Sequence, residues 1–422
     1  MNAPLAMQKF WICFLLATGV APYGLCQALV SGSDILASAR LDVAVDAQAK
    51  QLAFMQANNR TLPFVEEIGA RTETDRFELR RQEYLARVNV NGLNEMRRQR
   101  QVQQADLRAE ESQSRLLLHE ALYDRYEAVA GYVHWQRTAA LQEQLAAVYA
   151  DQVLVLQKMA AANAGADVAD LIKAEFDRDE LALKIAESES QRERLRQMIR
   201  WFLPVLPAAW QLDTSDFIRP DQIERTVAAL PLSNLQHPEA LEKQSEIGQI
   251  DARYALRKAQ SQQVLDFFQL RYHNRPDEGF NRAFSVGFGL TLPYRGSERV
   301  KMAELQIEKN AASLSLQRFE SETSARIEAA RQQIGALNRR HGIARQQWSD
   351  SQARYTLEQG NTAQPEGPWP LLKARELQLK RQLGLLDIER ELLEQYLNVL
   401  DWSGALSAVP AVNYLSGNLV NY

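Results

Sequence analysis

The chain has 422 residues, with 49 Lys plus Arg against 53 Asp plus Glu and a net charge of −4. That near-balance excludes a general nucleic-acid binder, which needs a basic excess to displace counterions from phosphates, and 46% apolar with 24% charged residues excludes wholesale disorder. With 19 Gly and 14 Pro a turn-rich all-β chain is excluded as well, and the two cysteines, Cys13 and Cys26, make neither a disulfide framework nor a thiolate zinc site.

Lys9 precedes a short apolar run from Phe10 to Val20, and Cys26 and Ala28 place small residues at −3 and −1 of a cleavage point. This pattern predicts a secretory signal peptide over residues 1–28. The run is too short to span a bilayer. An alternative lipidates Cys26, with Leu25 standing where a small residue is wanted. Either way the protein is exported. No later stretch offers about 18 continuous apolar residues. The mature chain is then periplasmic, secreted, or in the outer membrane as a β-barrel, whose strand signal is weak.

Residues 29–202 read as one unit: a helix near 34–58, a β-hairpin near 63–91, a long helix over 93–162 and a helix over 167–200. In the hairpin Ile68, Ala70 and Thr72 alternate with Glu67, Gly69, Arg71 and Glu73, then Tyr84, Ala86, Val88 and Val90 with Leu85, Arg87 and Asn89. The long helix has no Pro and one Gly, Gly131, between Met96 and Ala162. Its stripe Leu118, Leu122, Tyr126, Val129, Val133 recurs at helical spacing. Leu141, Leu145, Val148 and Val155 continue it as a heptad seam with Gln152 in one seat. Such a helix is roughly 100 Å long, which suits a stalk or tube better than a compact domain.

Pro204, Pro207, Pro220 and Pro231 mark residues 203–238 as an irregular connector. Residues 239–404 repeat the first pattern: a helix over 239–262, a hairpin over 264–293, a long helix over 297–359 and a helix over 371–400. A tail, 405–422, follows. In the second hairpin Phe284, Val286, Phe288, Leu290 and Leu292 alternate with Ser285, Gly287, Gly289 and Thr291, the pattern of a strand with one lipid-facing side. Leu171-Ile172-Lys173-Ala174 is echoed by Leu371-Leu372-Lys373-Ala374, and the hairpin-to-helix junction at Gly92 by that at Gly296. The chain therefore reads as two internal structural repeats.

In the strand ending in Pro before a Gly and a long helix (Gly287 to Gln317), the turn and leucine-alanine helix of Ala164 to Leu181, and the twofold repeat, the sequence resembles the TolC-like outer-membrane efflux proteins. The resemblance spans nearly the whole mature chain. It implies a mainly α fold with a small β part: a long-helix α-barrel, or coiled-coil tunnel, under a trimeric twelve-stranded outer-membrane β-barrel. It also implies the duct of a tripartite efflux or type I secretion system. Expected partners are two further copies, a periplasmic adaptor, an inner-membrane pump of RND or ABC type, and outer-membrane lipid.

By the same resemblance Gly165, Asp167, Gly360 and Trp369 mark the adaptor-docking helical tips, with Trp369 as an exposed anchor. Asp170, Lys173 and Lys373 stand where familiar members carry aperture residues. Pro370 and Lys373 replace the paired acids of the second repeat, and lysines there imply an aperture that prefers cations less. The second tip, NTAQPEGPWP after Gly360, is longer and Pro-broken compared with the family.

The five histidines, His119, His134, His237, His273 and His341, show no metal-ligand spacing. Gly287-x-Gly289 lacks the third glycine of a dinucleotide fingerprint. Glu111 and Glu180 each precede a basic residue by four, as on solvated helix faces. No nucleophile elbow is present. The sequence thus predicts no enzyme, no cofactor and no metal. The rival reading, a periplasmic adaptor or soluble coiled-coil scaffold, would show one helical hairpin between Gly-rich β halves rather than two helical and two β-hairpins.

Overall fold

The computed structural model describes residues 28–58, 63–74, 82–162, 168–207, 209–231, 236–273, 284–290, 296–359 and 368–422. The predicted signal, Cys26 included, lies outside them except for Ala28. In chain order, β1 (Ala28–Val30), α1 (Gly32–Ala37), a 3-10 turn (Ser38–Leu41) and α2 (Val43–Ala57) lead into β2 (Val65–Thr74) and β3 (Gln82–Val90). The long α3 (Leu93–Ala161) and α4 (Val168–Phe202) follow, then β4 (Trp210–Leu212), α5 (Pro220–Ala229), α6 (Pro238–Ser261), β5 (Leu265–His273) and β6 (Phe284–Leu290). The chain ends with α7 (Gly296–Ser349), α8 (Gln352–Gln359), α9 (Pro368–Ser403) and a 3-10 turn (Ala405–Ser407) before the tail.

Helix α3 runs for 69 residues, about 100 Å at 1.5 Å per residue. On one side α3 divides its length between two helices. Along its first half it meets α6, through Glu95–Gln260, Asp106–Gln249 and Ser112–Ser245 hydrogen bonds. Along its second half it meets α9, where Gln152 Nε2 donates to Glu376 at 2.9 Å. Helix α4 lies along its other side and α7 packs on both α6 and α9. The resulting layer runs α4, α3, then α6 and α9 end to end, then α7. Leu122, Tyr126, Val129 and Val133 are buried, and Leu145, Val148 and Tyr149 meet Leu181 and Leu379. Near the tip Val153 and Leu156, not Val155, fill the seam, because it faces Ala174 of α4 as well as α9.

Two sequence expectations are corrected. The connector 203–238 contains β4 and α5: Pro220 occupies the first turn of α5, where its missing N–H costs nothing, so it starts a helix instead of breaking one. The single helix expected over 297–359 is divided at Asp350 and Ser351. Ser349 Oγ turns back to the Gln346 carbonyl and Ser351 Oγ accepts from the Arg354 N–H, so local serine hydrogen bonds close one helix and open the next.

The main core lies midway, where the layer is wrapped by the short elements. β1 pairs in parallel with β4, and Ile35, Leu36, Ile199, Ile223, Leu392, Tyr396 and Leu400 are buried together. The tail is sewn into this core. The Tyr126 hydroxyl donates to the Val412 carbonyl (2.8 Å) and accepts from the Tyr414 N–H (3.2 Å), and the Tyr396 hydroxyl donates to the Tyr414 carbonyl (3.0 Å). Gly404 makes the turn into the tail at φ 74°, with space for a Cβ closed by the Gln236 carbonyl at 2.8 Å, so only glycine fits. Among the described residues no helix is long and apolar enough to cross a membrane.

Candidate functional site

The four longer strands form one antiparallel sheet in the order β2-β3-β5-β6. Period-two alternation puts most of each strand's apolar residues on one side, with Leu85 and Phe267 on the other, and the register lines them up. Val88, Phe268 and Phe288 stand in one row, Ala86, Leu270 and Val286 in the next, Tyr84, Tyr272 and Phe284 in a third. Ile68 and Ala70 extend these rows onto β2. Ile68, Phe268, Leu270, Phe284, Val286, Phe288 and Leu290 are all exposed, Val286 at 76%. Leu292, expected on the same face, lies outside the described residues.

The opposite face carries Glu73, Glu83, Arg87, Gln269 and Arg271 with Gly287 and Gly289. The Arg87 guanidinium lies 3.6 Å from the centroid of the Phe267 ring, and that ring fills the space where a Cβ on Gly289 would come within 2.1 Å. The sheet is therefore apolar on one side, mainly polar on the other, and open at two edges, β2 and β6.

At the far end of the helices, Gly165, Asp167 and Gly360 lie outside the described residues. Trp369 corrects the sequence expectation. It is half-buried in the first turn of α9 and packs with Leu171 against Val153, Leu156 and Ala174, so its surface serves the tip's own core. Lys373 Nζ sits 5.0 Å from the Trp369 ring centroid and 3.0 Å from Glu376 Oε2. Glu376, 7% exposed, also takes Lys380 Nζ at 2.7 Å and Gln152 Nε2 at 2.9 Å. Lys373 and Lys380 share the single negative charge of Glu376, so Lys373 is only partly compensated within the chain. Asp170 and Lys173 are exposed on α4 and, among the described residues, form no ion pair.

Burial alone would raise the Glu376 pKa, but hydrogen bonds from Lys380, Gln152 and Lys373 outweigh it and hold the carboxyl at about 2. A carboxylate depressed in the folded state contributes fully above its ordinary value of 4.5 and loses that contribution as pH falls toward 2. Glu376→Gln is expected to destabilise the tip by about 2 kcal/mol, since both lysines are half exposed and screened. It should also remove the acid sensitivity of amide exchange in the first turns of α9 over that window. Unchanged exchange at neutral pH would contradict this role.

A cluster that sequence spacing did not reveal joins α3 to α9 in the middle of the molecule. His119, 2% exposed, places Nε2 2.9 Å from Asp401 Oδ1 across a separation of 282 residues. His237, at the start of α6, lies edge-on to it with ring centroids 5.0 Å apart. Burial first and the neighbouring His119 second lower the His237 pKa below its ordinary range.

No protein-family model matches the chain, and no curated protein matches it in sequence. Solved structures do match. The outer membrane protein VceC of Vibrio cholerae superposes with a TM-score of 0.64 at 12% identity, over 88% of this chain and 96% of VceC. The outer-membrane channel OprN superposes at 0.62 with 15% identity, over 88% and 89% of the two chains. The CmeC outer membrane channel of Campylobacter jejuni gives 0.58 at 12% identity, over 88% and 83%. At these identities the likeness shows the fold, which is that of outer-membrane channel proteins.

Proposed function

We propose that the chain is the outer-membrane duct of a tripartite efflux or type I secretion system. The observation that carries this reading is a sheet with one continuous apolar face and two open edges, set at the end of helices about 80 to 100 Å long. An exposed apolar face of this size is stable only in lipid or against a partner, and backbone at an open sheet edge cannot remain unpaired in hydrocarbon. Three copies, β6 of each pairing with β2 of the next, would close twelve strands into a barrel and leave no edge. The layer's end helices fit the same closure: Ile172, Phe176 and Leu183 on α4, and Val300, Ile307 and Leu314 on α7, are exposed apolar residues awaiting a neighbour.

In this reading export is passive, with energy supplied by an inner-membrane pump. A periplasmic adaptor engages the helical tips, and gating shifts the tip helices between two packings. The polar face of the sheet lines the lumen. The reading as an adaptor or soluble scaffold leaves the apolar face of the sheet in water.

The test is fractionation of the full chain followed by unheated gel electrophoresis of the membrane fraction. A heat-dissociable trimer in the outer membrane is the expected result. A monomer soluble in the periplasm would overturn the reading.

A further inference from the structure

Where α3, the start of α6 and the end of α9 converge, one donor atom each from His119, His237 and Asp401 lies within 4.8 Å of the other two. The hydrogen bonds around His119 define how it is presented. Its Nδ1 is 3.3 Å from Ser407 Oγ. That hydroxyl donates to the Gly404 carbonyl, so toward the ring it offers a lone pair, and Nδ1 carries the hydrogen. Nε2 is then directed at Asp401 Oδ1, 2.9 Å away, either as a second N–H or as a lone pair sharing a cation with the carboxylate. His237, Trp402 and Ser403 line a cavity of about 510 Å³ that opens to solvent, and the Asp401 side chain is 25% exposed, so an ion can approach through these two ligands although His119 itself is buried.

We propose that His119, His237 and Asp401 form a binding site for a divalent transition-metal ion of the zinc class. Two imidazoles and one carboxylate are the donor set such ions take, whereas calcium and magnesium call for oxygen ligands throughout. Ser407 supplies the outer contact that holds a ligating imidazole in one tautomer. Two ligands on one tetrahedral ion with bonds of about 2.1 Å stand about 3.4 Å apart, so Nε2 and Oδ1, now at 2.9 Å, must open by about 0.5 Å. His237 must draw in by about 1 Å or more to complete the set.

His237 gives something up in doing so. Its Nδ1 accepts the Glu239 N–H at 3.1 Å as the N-cap of α6. Coordination through Nδ1 displaces that N–H, and coordination through Nε2 moves the ring proton onto Nδ1. Loading therefore exchanges one capping hydrogen bond for a metal bond and ties three helices together at the junction of the two halves. This site does not depend on the duct reading.

The test uses the full-length purified chain in detergent, stripped with a chelator and titrated with zinc alone by calorimetry. The expected result is saturable uptake of one ion per chain, weakened at least about tenfold by His237→Gln and by Asp401→Asn. His341→Gln, whose ring faces Glu389 at 3.5 Å elsewhere, should leave it unchanged. Cobalt substituted into the unmodified chain should give the intense visible absorption of a low-coordinate nitrogen-and-oxygen site, a readout that needs no variant to fold. No saturable zinc uptake, equal uptake in all three variants, or a cobalt spectrum like that of the hydrated ion would each overturn the proposal.

Discussion

Arg125→Met is expected to destabilise the folded chain by about 3 kcal/mol or more, because it breaks a buried ion pair. Arg125 is 1% exposed on α3, and burial pulls its pKa below the ordinary arginine value. Its Nε donates to Ser38 Oγ (3.0 Å), Nη1 to the Ala121 carbonyl (2.7 Å) and Nη2 to Asp42 Oδ2 (3.2 Å), and the guanidinium lies 4.4 Å from the centroid of the Phe202 ring. Each of its three nitrogens donates at least one hydrogen bond, so the buried charge is stable as it stands. Its removal strands the Asp42 carboxylate, whose side chain is only 18% exposed, beside an apolar core.

Asp42 keeps one other bond, from the Ala44 N–H it caps at 3.1 Å, which places the expected loss at the lower end of the range for broken buried pairs. Arg125→Met combined with Asp42→Asn should lose less than the sum of the two single changes, because the stranded charge is gone. Denaturant unfolding of the purified chain measures both. A loss below about 1 kcal/mol for Arg125→Met would contradict the assignment.

Val286→Arg tests the membrane face. Val286 is 76% exposed, in register with Leu270 and Ala86 at the centre of the apolar rows. An arginine on the lipid side of a barrel costs about 2–4 kcal/mol per chain near the bilayer midplane. The expected outcome is loss of the heat-dissociable oligomer from the outer membrane. Ser285→Gln, one residue earlier and on the opposite face, should change stability by no more than about 0.5 kcal/mol and leave assembly intact. Equal behaviour of the two variants would show that the apolar face does not meet lipid.

What was legible in the sequence is what local spacing encodes. Unbroken helix-forming runs mark α3, α4, α6 and α9, and the period-two rows of β5 and β6 mark one apolar side, because these signals lie within a few residues of one another. A proline misled where its position in the helix decided the outcome: Pro220, at the first turn, starts α5. The division at Asp350 and Ser351 depends on serine hydroxyls competing for backbone groups, which no apolar period reports.

Local spacing set the long helix α3, the alternating hairpins and the order of both along the chain, since each follows from backbone geometry and neighbouring side chains. Only the tertiary structure decided which charges leave water. Arg125 reads as one more solvated helix residue until Ser38 and Asp42 are folded against it. Glu376 reads the same way until Gln152 reaches it from α3, and Trp369 looks like an exposed tip until Leu171 and Val153 close on it. His119 and Asp401 are 282 residues apart and carry no shared spacing. Burial and pairing of polar groups are set by which helices lie side by side, and that is a property of the layer as a whole rather than of any segment in it.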